Sequence, residues 1–181
     1  RRTVLDVLLD DPLERVFMQW EYSYFYPAIA TCNHITDWSK LPIKYRTDVA
    51  MMGKMGYDIV VSKLDEKELQ FSQQALANYE SVNDLVWHGD LYRLVNPWEK
   101  PFASLQFVND SKSKAVVFSY LTSFRHTNTA ASSMPVRLKG LNPEKKYSIK
   151  EINLYPGTRS SLSSGLILSG EYLMTVGFNP D

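Results

Sequence analysis

The sequence predicts an α+β chain, helix-rich to about residue 90 and strand-rich beyond it. Three observations carry that expectation. The first half has helix start signals followed by helically spaced apolar residues. It also holds one dense aromatic run that reads as a buried strand. The second half alternates with period two between turn residues. At 181 residues the chain is long enough for one sizeable domain or two small ones, each with a real core.

In the first half, Pro12 opens a helix predicted over Leu13–Trp20, with Asp10 or Asp11 placed as its N-cap. Tyr22–Ala30 is bulky and apolar and stops at the polar residues Thr31, Cys32, Asn33 and His34, so it is read as a strand buried on both faces. Val49, Met52 and Met55 recur at three-residue steps, which predicts a helix over Tyr45–Met55 with Gly56 as its stop. Leu64–Tyr79 is the clearest helix, because Asp65, Glu66 and Glu68 load its first turn.

In the second half, Tyr92–Val95, Ala103–Asn109 and Lys114–Leu121 read as strands. Asp110–Ser113 is the hairpin connection between the last two. Val136–Lys139, Tyr147–Lys150 and Tyr172–Val176 alternate as further strands, with turns at Gly140–Pro143, Pro156–Gly157 and Ser169–Gly170. Short strands so punctuated predict a β-sandwich. A lone parallel strand between helices is no closed domain, so the first half reads as part of something larger.

Twenty basic residues balance twenty acidic ones, which argues against a nucleic-acid partner. No apolar run reaches the ~18–20 residues that cross a bilayer. Asp6, Asp10 and Asp11 interrupt the start in a way unlike a secretion signal. The single cysteine, Cys32, allows no internal disulfide and no multi-cysteine metal site, and reads as a small buried residue. His34, His88 and His126 share no metal-ligand spacing. Asn109-Asp110-Ser111 is a glycosylation sequon, and Trp87 and Trp98 flank the half-way point.

The candidate site is Asn33-His34-Ile35-Thr36-Asp37-Trp38, a polar cluster after a buried strand, where α/β folds place ligands. Asp37 beside Trp38 suits proton transfer next to a sugar-stacking ring. Spacing alone favours the plainer reading, an Asp that caps the next turn and a Trp that only packs.

Six segments in order carry a resemblance to the α-galactosidases of glycoside hydrolase family 36. Asp11-Pro12-Leu13-Glu14-Arg15 with Gln19 is similar to the family's "DAIERLxIQ". Tyr26-Pro27 through His34-Ile35-Thr36-Asp37 resembles "YPxxxMGAHVSD". Arg46–Asp58 is similar to "RxxVAxxGxxGYE", and Gly89–Leu94 to "GxxYRL". Arg137–Leu141 and Ser169–Met174 resemble "LxGLxP" and "SGxxLM".

The resemblance implies the terminal piece of a (β/α)8 catalytic barrel over residues 1–85, its last strand with helices, followed by an antiparallel β-sandwich over residues 86–181. It implies a retaining glycosidase in which Asp37 is the general acid/base, with Arg46 either supporting the loop that carries this acid or making a helix-surface ion pair. Trp38 and His34 would contact the substrate, an α-galactoside oligosaccharide. The nucleophile belongs to a "KxDxN" motif that this sequence lacks, so the chain alone is expected to be inactive and to need the remainder of the barrel. No cofactor or metal is implied, since carboxylates do the chemistry. Exposed strand edges predict self-association, and hence a homo-oligomer, while localisation is left open.

Two departures stand out. After its acid the family reads "PNHQxxR", where this chain has Trp38–Lys44, which leaves the exact sugar and linkage undefined. Thr3–Leu8 alternates like a closing strand and is expected to pair with Tyr172–Val176. The reading from another class is a non-catalytic carbohydrate-binding or structural β-module. Tyr120, Phe124 and Tyr155 coplanar on an exposed sheet face would mark it, whereas burial would mark a stabilising domain.

Overall fold

A computed structural model describes residues 11–123 and 135–180. They fall into two compact units, residues 11–87 with Asn153–Thr158, and the described part of 88–152 with 159–180. Thr3–Leu8, Phe124 and His126 lie outside the described residues.

The first unit begins with helix α1, Pro12–Tyr22. Asp11 caps it, its Oδ1 accepting from the Leu13 N–H at 2.8 Å, and the proline fills a position that needs no donor. Pro12, Arg15, Val16 and Trp20 are the buried stripe. The aromatic run that follows is not a strand. Its backbone turns on itself, with the N–H groups of Phe25 and Tyr26 both donating to the Tyr22 carbonyl, and ends in a short 3₁₀ turn at Ala28–Ala30. Tyr22, Tyr24, Phe25 and Tyr26 are exposed. Pro27 brings no ladder donor, and local bonds have taken the groups a sheet would use.

The strand is the polar cluster itself, β1 at Cys32–Thr36. It is joined by helix α2, Ile43–Ala50, and strand β2, Lys54–Asp58. The two strands are parallel, with Cys32 opposite Lys54 and Thr36 opposite Asp58. The first half thus has two strands rather than one, and Met55–Gly56 lies in a strand, not at a helix end. Asn33 can be buried in β1 because its amide is satisfied, donating to the Ala50 carbonyl at 3.1 Å and accepting from the Gln19 amide. Gly53 sets how closely the segments approach, since a Cβ there would stand 2.1 Å from Thr31 Oγ1.

Helix α3, Glu66–His88, is longer than its acidic start and apolar spacing indicate. Asp65 and Glu68 exchange backbone-to-carboxylate bonds at 2.8 and 3.2 Å, a reciprocal capping box. Phe71 and Ala75 form a core with Ile43, against which Tyr57, Leu64 and Tyr155 pack. The buried Tyr79 hydroxyl donates to the Gly53 carbonyl at 2.7 Å and accepts from the Met55 N–H at 3.1 Å. Tyr79→Phe leaves both groups without that partner and should cost about 1–3 kcal/mol. Urea denaturation measures the loss, and amide exchange at Met55 should quicken.

Asn153 returns to this unit in the left-handed region, φ 65°, which asparagine tolerates. Its amide donates to Asp48 and accepts from Asn78 Nδ2 at 3.3 Å.

The second unit holds β3, Asp90–Val95, β4, Phe102–Val108, and β5, Ala115–Leu121, in one antiparallel sheet with β4 central and buried throughout. The hairpin at 110–113 forms as expected. Asn109 holds it, Oδ1 accepting from the N–H groups of Ser113 and Lys114 at 2.9 and 3.0 Å while Nδ2 reaches Ser111 and Ser113. The sequon amide is therefore engaged in the turn.

Strands β6, Lys146–Ser148, and β7, Ile167–Ser169, pair separately, and Val136 bridges Phe178. The segment expected as a strand over Tyr172–Val176 is helix α4, Gly170–Thr175. Ser169 Oγ caps it by accepting from the Tyr172 N–H at 3.1 Å, and Leu173 alone supplies its buried anchor among Val136, Leu138 and Leu141. Tyr120 is buried and stacks on Phe118, so it offers no exposed binding ring.

Candidate active site

Asp37 follows the carboxyl end of β1 directly, beside the carboxyl end of β2, because Thr36 and Asp58 are register partners. Its carboxylate is 37% exposed and lies 3.8 Å from Nζ of Lys63, which sits in the 3₁₀ turn Val61–Lys63 after β2. At that distance, and with the lysine 72% exposed, the pair is a weak one that leaves the carboxylate available. Trp38 is adjacent and 49% exposed.

The burial of β1 alternates over its first four residues. Asn33 and Ile35 are buried, while Cys32 and His34 are exposed. Cys32 is therefore not the buried residue expected of it. His34 faces Gly56, whose missing side chain leaves room beside the ring, since a Cβ there would lie 3.8 Å from His34 Cδ2. The structure brings Asp37 and Trp38 together at the strand end and sets His34 back along the strand.

The other edge of β1 is held by two arginines. The Thr31 carbonyl accepts from the Lys54 N–H at 2.9 Å, so odd-numbered carbonyls point to β2 and even-numbered ones point away. On that outer edge Arg15 Nη1 of α1 donates to the His34 carbonyl at 2.5 Å, and Arg46 Nη1 of α2 donates to the Thr36 carbonyl. Burial pulls the Arg46 pKa below its ordinary value, opposed by the charges of Glu68 and Asp37 and by Tyr57. Lys63 and Arg15 were not legible as site residues. Lys63 joins only once Lys54–Asp58 is known to be a strand beside β1, and no local motif says so.

A pocket of about 490 Å³ opens along β1, lined by Tyr22, Tyr26, Thr31, Cys32, Asn33 and His34 among others, and Asp37 is not among its lining residues. The chemistry is therefore assigned by the carboxylate and not by the concavity. Among the described residues no group of three or more His, Cys, Asp and Glu is arranged to hold a metal ion, and no helix is long and apolar enough to cross a membrane.

Two family models match the chain, Melibiase over residues 6–89 and the glycosyl hydrolase family 36 C-terminal domain over residues 102–181. The α-galactosidase AgaA of Geobacillus stearothermophilus is 34% identical over 156 residues, 81% of this chain and 21% of that protein. The crystal structure of the family 36 α-galactosidase AgaB from the same organism superposes with a TM-score of 0.79 at 31% identity, over 94% of this chain and 22% of that one. An AgaA variant solved in complex with raffinose gives a TM-score of 0.79 at 30% identity, over 93% and 22%. The chain spans about a fifth of the length of these relatives. Matched along both halves by these models and relatives, the chain belongs to glycoside hydrolase family 36, a family of glycosidases that includes α-galactosidases.

Proposed function

We propose that these residues supply the acid/base half of a retaining α-galactosidase site, acting on terminal α-linked galactose in oligosaccharides of the raffinose type. Residues 1–85 are the end part of a (β/α)8 barrel and residues 86–181 an antiparallel β-sandwich that follows it. The observation that carries the reading is the place of Asp37, a half-exposed carboxylate at the carboxyl end of a parallel strand, where barrel enzymes build their sites.

Asp37 protonates the glycosidic oxygen as the bond to the anomeric carbon breaks. It then takes a proton from the water that releases the sugar. Between those steps a second carboxylate, ~5–5.5 Å away, must hold the sugar covalently. No segment of these residues resembles the motif that carries it, so it comes from the remainder of the barrel. Trp38 offers an apolar ring to the sugar face beside the acid. His34, on the open face of β1, lines the pocket beside that strand and is assigned to a remoter part of the substrate. No cofactor takes part in this chemistry.

The test is hydrolysis of p-nitrophenyl α-galactoside by the 181-residue chain beside the full-length enzyme that contains it. The chain should be silent and the full-length enzyme active. Turnover by the chain itself would place a nucleophile within these residues and end the half-site reading.

A further inference from the structure

We infer that Arg46 is a positioning residue for Asp37, one side chain that ties both ends of the loop carrying the acid. The inference rests on the assignment of Asp37 above. The loop runs from the end of β1 at Thr36 to the start of α2 at Ile43. Arg46 is bound at the far end of that loop through its own backbone, its N–H donating to the Pro42 carbonyl at 3.2 Å in the first turn of α2. Its side chain returns to the near end, where Nη1 donates to the carbonyl of Thr36, the residue before Asp37. Thr36 is itself buried at 2% exposure, so the contact is made on a fixed strand end and not on a mobile one. A planar, always-charged guanidinium holds direction better than a flexible ammonium, which suits a clamp.

Two further facts set Arg46 apart from a surface arginine. Its Nε is buried and has no hydrogen-bond partner among the described residues, a desolvation that an exposed ion pair would not incur. The ion pair on the surface of α2 is made instead by Lys44 and Asp48, at 2.7 Å one helical turn apart. The charged groups around Arg46 are the carboxylates of Glu68 from the first turn of α3 and of Asp37 itself, with the hydroxyl of Tyr57 from β2. Releasing the clamp unties the loop from that fixed strand end, and a displacement of about 1 Å in a proton donor is enough to cost ~10²-fold.

The experiment uses the full-length enzyme and two substrates. Raffinose expels a sugar alkoxide that needs the acid; p-nitrophenyl α-galactoside expels a stabilised phenolate that needs it little. Arg46→Met should lower kcat/KM for raffinose by ~10–100-fold and for the nitrophenyl substrate by no more than ~3-fold, since only the proton donor is misplaced. Arg46→Lys, which restores one donor and the charge, should recover part of the raffinose activity. In an Asp37→Asn background Arg46→Met should change little, because the group it positions is gone. Equal losses on both substrates, or none, in both Arg46 variants would overturn the inference and leave Arg46 structural. If Arg46→Met does not fold, the ratio of the two substrates for Arg46→Lys and Arg46→Gln decides in the same way. Raffinose turnover that survives Asp37→Asn would remove the assignment of Asp37, and the inference with it. A selective loss in Asp37→Asn with none in the Arg46 variants would remove the inference alone.

Discussion

Asp37→Asn in the full-length enzyme should lower kcat/KM for raffinose by roughly 10²–10⁴-fold, the range for losing one general acid–base group. Asparagine keeps the size and the hydrogen-bonding surface but cannot give up a proton or take one from water. With p-nitrophenyl α-galactoside, whose phenolate leaves almost unaided, the first step should persist and the second should stall. A burst of nitrophenolate followed by slow turnover is the expected trace. Azide needs no base, so it should accelerate that second step. It enters from the side that water uses and should give the α-galactosyl azide, with configuration retained through two inversions. A β-azide would mean that the lost group is the nucleophile and that Asp37 has been given the wrong role. Activity within a few fold of the parent would remove Asp37 from the chemistry altogether.

Gln106→Leu should cost the second unit about 1–3 kcal/mol. Gln106 lies in the central strand β4, fully buried, and its amide pairs with the backbone of Lys139 on both sides. Its Oε1 accepts from the Lys139 N–H at 2.9 Å, and its Nε2 donates to the Lys139 carbonyl at 3.0 Å. The side chain thus does for an irregular segment what a neighbouring strand does in a ladder. Leucine has similar bulk and removes both partners at once, leaving a part-buried donor and acceptor of Lys139 without them; such groups cost roughly 1–3 kcal/mol each when wholly buried and less here. The loss reads directly from the urea midpoint of the isolated chain, and exchange at the Lys139 amide should quicken with it. A loss below about 1 kcal/mol would mean that water reaches Lys139 and that the amide pair adds little.

Most of what was legible in the sequence is local. Asp11 before Pro12 starts α1, and Asp65 with Glu68 starts α3, because a cap needs only residues two or three apart. The hairpin at 110–113 follows from a turn whose local bonds are made by Asn109, to which Lys145 and Tyr147 add bonds to the carbonyls of Ser111 and Lys112. The candidate site was legible as a polar stretch ending in Asp37-Trp38 after an aromatic run, though most of that stretch is a strand and only its end is a loop. The motifs in order along the chain were enough to identify its family.

The tertiary structure decided which segments are strands, and there composition misled. Tyr22–Tyr26 has every property of a buried strand except partners. It ends a helix instead, and its rings remain exposed. Cys32–Thr36 has a polar composition and is the strand, because Lys54–Asp58 lies beside it and because Gln19 and Ala50 satisfy the one amide it buries. Tyr172–Val176 alternates over too few residues to outweigh a serine cap and a single buried leucine, and it coils. Lys63 reaches Asp37, and Arg46 reaches the Thr36 carbonyl, for the same reason that Gln106 finds Lys139. A strand, and a site built at its end, are completed by groups distant in sequence, whereas a cap or a tight turn is completed within a few residues of where it begins.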